Sequence, residues 1–155
     1  MLYYFDTSAM VKLYHDETGS DTVKTLFEDN AADNCICQLT LTEFCSSLYK
    51  KLRTKEIADE RIVQEAIKSF EIDTQFEWTV QINQNVFDEA RTIIGKYGAR
   101  YSIRTLDALQ LACAELISRT EETTFISSDE KQNAVAHEMG FHVINPAATD
   151  KEPEL

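Results

Sequence analysis

Two short apolar runs each close on an acid, LYYF before Asp6 and TTFISS before Asp129, and between them further short runs alternate with segments of helical spacing. This alternation constrains the fold more than any other feature. Strand followed by helix, repeated, predicts an α/β domain with a mainly parallel sheet covered by helices. The spacing predicts strands at LYYFD, NCICQL, FEWTVQI, TTFISSD and FHVIN. Helices are predicted over SAMVKLYH and over 18–30, where Val23, Leu26 and Phe27 share a face and Ser20 or Asp21 would cap. Another is predicted from Thr40 or Thr42 through TLTEFCSSLYKKLRTK, and a further one over 56–72. NVFDEARTIIGKYG, ending near Gly95 or Gly98, RTLDALQLACAELISR and QNAVAHEMG, closed by Gly140, complete the set. A chain of 155 residues fits one domain, expected over 1–148 with a polar tail at 149–155.

Composition narrows the function classes. Hydrophobic residues at 43% supply a core, and 27% charged residues supply a solvated surface. With only 4 Gly, the chain has few glycines for phosphate-cradling loops. No apolar run approaches the roughly 20 residues that cross a bilayer. MLYYFDTSAM lacks a basic region and reaches Asp6 after five residues, so no leader is expected and the location expected is cytoplasmic. Cys35, Cys37, Cys45 and Cys113 lack the paired spacing of a zinc site and are expected as buried, reduced thiols.

A net charge of −12 repels phosphate at long range, which excludes indiscriminate coating of nucleic acid. The basic residues nevertheless gather in two stretches, Lys50, Lys51, Arg53, Lys55 and Arg61, then Arg91, Lys96, Arg100 and Arg104. They form either a local cationic track or ordinary solvated helix faces.

Ligand sites of open α/β sheets lie beyond the carboxyl ends of the strands. Asp6 and Asp129 occupy that position by sequence, and Glu43 and Asp107 fall in the first turns of predicted helices. Each alone is explained by helix capping. Four acids converging on one sheet edge would instead raise one another's pKa unless a cation intervened. Carboxylates without His or Cys suit Mg²⁺ or Mn²⁺ rather than zinc.

From FDTSAMVKLY through LTEFCSSLYK and IRTLDALQLACA to FISSDEKQNAVAHEMGFHVINP, the chain resembles the PIN domain ribonucleases, and among them the VapC-type toxins of toxin–antitoxin pairs. The resemblance implies a PIN-like three-layer α/β/α sandwich with Asp6, Glu43, Asp107 and Asp129 as catalytic residues holding Mg²⁺, with Mn²⁺ as a substitute. Thr7 or Ser8 would add a hydroxyl beside the first acid, and the neutral Asn133 stands where the family's more variable extra acid falls. Implied too is hydrolysis of RNA by in-line attack of metal-activated water, leaving a 5′-phosphate. Lys50, Lys51, Arg100 and Arg104 become the candidate RNA contacts.

A cognate antitoxin is the implied partner, docking on apolar residues of the early helices; Met10, Leu13, Tyr14 and Phe27 are either exposed candidates for it or ordinary core, and homodimers are common in the family. No membrane association is expected. A second reading is a PIN-like binding module that pairs with a partner but cuts nothing. Phosphatases of the haloacid dehalogenase type need D-x-D after the first strand, where this chain has Ser8, and receiver domains need an acid at the end of FEWTVQI. His15, His137 and His142 lie in no nucleophile-elbow context, which disfavours a Ser/His/Asp hydrolase.

Overall fold

Leu2–Phe5, buried at every position, is the central strand β1. In a computed structural model, described for residues 1–76 and 78–149, it pairs in parallel with β2 (Asp33–Cys37) on one side and β4 (Thr123–Ile126) on the other. Strands β3 (Trp78–Val80) and β5 (His142–Ile144) extend the sheet outward, also in parallel, giving the order β3-β2-β1-β4-β5. Tyr4 sits level with Cys35 and Phe125. Glu77, in the expected third strand, and residues 150–155 of the expected tail lie outside the described residues.

Helices cover both faces. α1 (Thr7–Met10) and α2 (Ser20–Phe27) are followed by the antiparallel neighbours α3 (Gln38–Arg53) and α4 (Glu60–Asp73). These four pack on the face presented by Tyr3, Phe5, Ile36 and Ile126. α5 (Gln84–Tyr97), α6 (Thr105–Ser118) and α7 (Glu130–Met139) cover the face of Leu2, Tyr4, Cys35, Cys37 and Phe125, and α8 (Pro146–Thr149) ends the described chain. Alternate residues of every central strand thus enter opposite cores, as the period of two requires. On the first face Phe44 stacks on Phe70 with centroids 3.9 Å apart, and the Tyr14 ring meets both edge-on. Each fully buried side chain of that size contributes about 1.5–3 kcal/mol.

Several boundaries differ from the sequence reading. α3 starts at Gln38, not at Thr40 or Thr42, because the Cys37 thiol caps it by accepting from Leu39 N at 3.4 Å. α4 starts at Glu60 behind the Asp59 cap, later than the expected 56. Gly19, at φ 90°, caps α2 rather than Ser20 or Asp21; the Ser20 hydroxyl accepts from Glu17 N instead. A Cβ on Gly19 would stand 2.7 Å from the carbonyl carbon of Pro146, so glycine is needed for space as well as conformation. Met10 is fully buried, and Leu13, Tyr14 and Phe27, partly buried, pack against the same core, so of the two readings of these apolar residues the structure favours core packing. Cys35, Cys37 and Cys113 are buried free thiols, whereas Cys45 is only half-buried.

Candidate active site

The chain leaves β1 toward β2 while β4 flanks β1 on the opposite side, so strand order reverses at the carboxyl end of β1. That end of a doubly covered sheet opens a crevice between the flanking connections. Asp6, the first residue after β1, donates its backbone N–H to Ile126 O at 3.0 Å and caps α1, accepting from Ser8 N at 3.0 Å on Oδ2. It is 6% exposed. Burial raises its carboxyl from 3.8 to about 6; hydrogen bonds from Ser8 and Thr7 oppose the rise, and the charge on Glu43 reinforces it.

Glu43 lies in the second turn of α3, not the first, since the helix begins at Gln38. Its Oε2 accepts the Thr7 hydroxyl and the Gln110 amide, both at 2.8 Å. Asp107, in the first turn of α6, accepts Arg104 N on Oδ2 at 2.8 Å. Asp129 caps α7, accepting Lys131 N and Gln132 N on Oδ1 at 2.9 and 3.0 Å. Glu43, Asp107 and Asp129 therefore each engage the protein through one oxygen, and no hydrogen bond among the described residues reaches the other.

Asp6 and Glu43 interact electrostatically, and Asp107 and Asp129 line one cleft of about 480 Å³ with Ser102, Arg104, Ser128 and Lys131. Among the described residues, no three His, Cys, Asp or Glu side chains are grouped so as to hold a metal ion by themselves. Among the same described residues, no Lys, Arg or His forms an ion pair with any of the four acids. Uncompensated carboxylates with a free oxygen each fit a hard cation that keeps much of its water shell. Mg²⁺ is typically bound through one or two carboxylates, with waters and substrate phosphates completing the shell.

Ser127 ties the halves together. Its hydroxyl stands 3.3 Å from Asp6 Oδ2 and accepts Asp129 N at 3.0 Å. Ser8 Oγ, 3.2 Å from Ser127 Oγ, accepts Ser128 N at 2.9 Å, which makes Ser8 a strut across the crevice. Thr7, by contrast, reaches Glu43 itself. Asn133 is buried; its Nδ2 donates to Ser127 O at 2.8 Å, and its Oδ1 has no partner among the described residues.

The candidate RNA contacts divide. Lys51 is held by Glu17 at 2.7 Å and Glu56 at 2.9 Å, and Arg100 by Glu138 at 2.6 Å. Lys50, exposed, lines a groove of about 250 Å³ with Ser8, Ser47 and Ser128, and Arg104 lines the acid cleft. Sequence reasoning missed Ser127, Lys131 and above all Gln110. The available signal was a polar residue one turn beyond Asp107 inside the otherwise apolar run 108–114.

The family model of the PIN domain matches residues 3–138. No curated protein matches the chain. Among solved structures it is similar to VapC20 of Mycobacterium tuberculosis, a Sarcin-Ricin loop cleaving toxin, at 14% identity over 92% of this chain and 97% of that one, with a TM-score of 0.66. A toxin-antitoxin complex from Klebsiella pneumoniae aligns at 16% identity over 93% and 97%, TM-score 0.63. VapBC2 from Rickettsia felis, bound to a DNA fragment from their promoter, aligns at 15% identity over 93% and 98%, TM-score 0.62. At such identities the likeness is one of fold.

Proposed function

The chain belongs to the PIN domain family, and from that premise we propose that it is a metal-dependent endoribonuclease, the toxin of a toxin–antitoxin pair. One observation carries the reading: four carboxylates at the carboxyl edge of the sheet have no cationic partner among the described residues, and three of them leave an oxygen free. Asp6 is buried and the other three acids are half-buried, and carboxylates left without a counter-charge in this way gather at functional sites.

Asp6, Glu43, Asp107 and Asp129 would hold Mg²⁺ or Mn²⁺. Bound there, the cation supplies a water of lowered pKa and offsets charge on a phosphate oxygen. Asp6 is fixed by the cap of α1 and by Ser127, and Glu43 by Thr7 and Gln110. Asp107 and Asp129 open on the cleft that would receive the strand, with Arg104 and Lys131 beside them to meet phosphates. Lys50 extends that cationic edge along the groove past Ser8.

The toxin assignment is supported by fold neighbours that are toxins or occur in toxin–antitoxin complexes. A cytoplasmic location agrees with the absence of any helix, among the described residues, long and apolar enough to cross a membrane. A second reading is a binding module without turnover, in line with the lack, among the described residues, of a self-sufficient three-residue ligand group. Cleavage of single-stranded RNA that stops in EDTA and returns with Mg²⁺ or Mn²⁺ supports the nuclease. Cleavage unaffected by EDTA removes the mechanism, and no cleavage under any metal leaves the binding module.

A further inference from the structure

Gln110 is 1% exposed, yet its amide is fully used. Oε1 accepts the Tyr4 hydroxyl at 2.7 Å, while Nε2 lies 2.8 Å from Glu43 Oε2, 3.0 Å from Thr40 Oγ1 and 3.1 Å from Thr7 Oγ1. An ionised carboxylate only accepts, so Glu43 fixes which end of the amide faces it. The Tyr4 phenol, whose single proton points at Oε1 and whose pKa burial raises well above 10.0, holds the amide in that sense from the far side. One side chain thus joins the centre of β1, the start of α1, α3 and α6, the elements that carry Asp6, Glu43 and Asp107.

We propose that Gln110 is a positioning residue, oriented by Tyr4, that together with the Thr7 hydroxyl occupies Glu43 Oε2 and so presents Glu43 Oε1 as the one of its oxygens free to face a cation. This rests on the reading of the acids as a metal site and says which carboxylate oxygen serves it. Partners that orient ligating carboxylates typically matter by 10–100-fold in metal affinity or activity. Gln110→Met keeps length and volume but removes the donor. Tyr4→Phe keeps the donor but releases the amide's far end.

The test measures Mn²⁺ affinity by electron paramagnetic resonance of the unbound ion, together with kcat and KM for RNA cleavage across a Mn²⁺ titration. Gln110→Met should bind Mn²⁺ about 10–100-fold more weakly. Tyr4→Phe should lie between it and the parent, and both should keep the parent's KM for RNA at saturating Mn²⁺. A general loosening of the fold would instead move KM and kcat together. If Gln110→Met does not fold, Tyr4→Phe decides by the same criterion. Parental Mn²⁺ affinity in the folded variants overturns the inference alone. A parent that neither binds Mn²⁺ nor cuts RNA overturns the reading of the site, and the inference with it.

Discussion

Burial raises the carboxyl of Asp6 from 3.8 to about 6, and the charge on neighbouring Glu43 adds to it in the same direction. A folded pKa above the unfolded one means that the stability is present below the ordinary value and lost as pH rises through about 6. In EDTA, the parent should therefore lose up to about 3 kcal/mol relative to Asp6→Asn between pH 4 and pH 7. Urea denaturation of both proteins across that range checks it. Parallel curves would mean that Asp6 is not held charged against its surroundings.

Mg²⁺ bound only by the folded protein should stabilise the parent by about 2.7 kcal/mol at 100 times its dissociation constant, and so raise its melting temperature. Asp107→Asn keeps an oxygen able to accept from Arg104 N. It should melt in EDTA at least as high as the parent and gain little from Mg²⁺. Asp107→Ala loses the cap as well and should fall by about 1 kcal/mol in EDTA. Thermal scans with EDTA and with millimolar Mg²⁺ separate the ligand from the cap; a full Mg²⁺ shift in Asp107→Asn would refute its role at the site.

The cationic residues should not behave alike. Lys50→Ala and Arg104→Ala should each weaken RNA binding and flatten its salt dependence by about one unit of slope. Arg100→Ala breaks the pair with Glu138 and should leave affinity nearly as it was. Lys51→Ala should act on stability: although burial works against it, Glu17 is held below its ordinary pKa by Lys12 and Lys51. Fluorescence titrations at several salt concentrations give the slopes, and equal losses in all four variants would contradict this division.

Gly19→Ala should destabilise by more than about 1 kcal/mol, since both φ 90° and the Pro146 backbone resist a Cβ. Gly95→Ala, where a Cβ meets nothing within 4 Å, should be neutral or stabilising by up to about 1 kcal/mol. Chemical denaturation of the pair checks the contrast.

What could be read from the chain follows from where local signals exist. Acid-terminated apolar runs placed Asp6 and Asp129 at the sheet edge, because both acids also cap the helices that follow. α3 was read two to four residues late because its cap is a cysteine thiol, which carries no recognised start signal, and that displaced Glu43 by a turn. For Met10 the sequence leaves surface and core equally open, because a helix as short as α1 shows no periodicity that separates inward from outward; the structure buries it. The bond from Gln110 to Glu43 spans 67 residues and exists only once α3 and α6 meet, so no window of sequence contains it. The ion pair that removes Arg100 from the list of free cations is likewise long-range, 38 residues apart.

The cysteines carry one more consequence. Cys35, Cys37 and Cys113 lie in the core between the sheet and α6, with the Cys37 and Cys113 sulfurs 3.0 Å apart; that contact, then burial, raises the Cys113 thiol far above its ordinary value. Cys45, half-buried on α3, is outside that layer. A thiol-reactive dye should therefore modify the native protein in a fast phase of one equivalent and a slow phase of three. The slow phase is a native clock: its rate counts how often α6 lifts from the sheet, in the unlabelled wild-type chain.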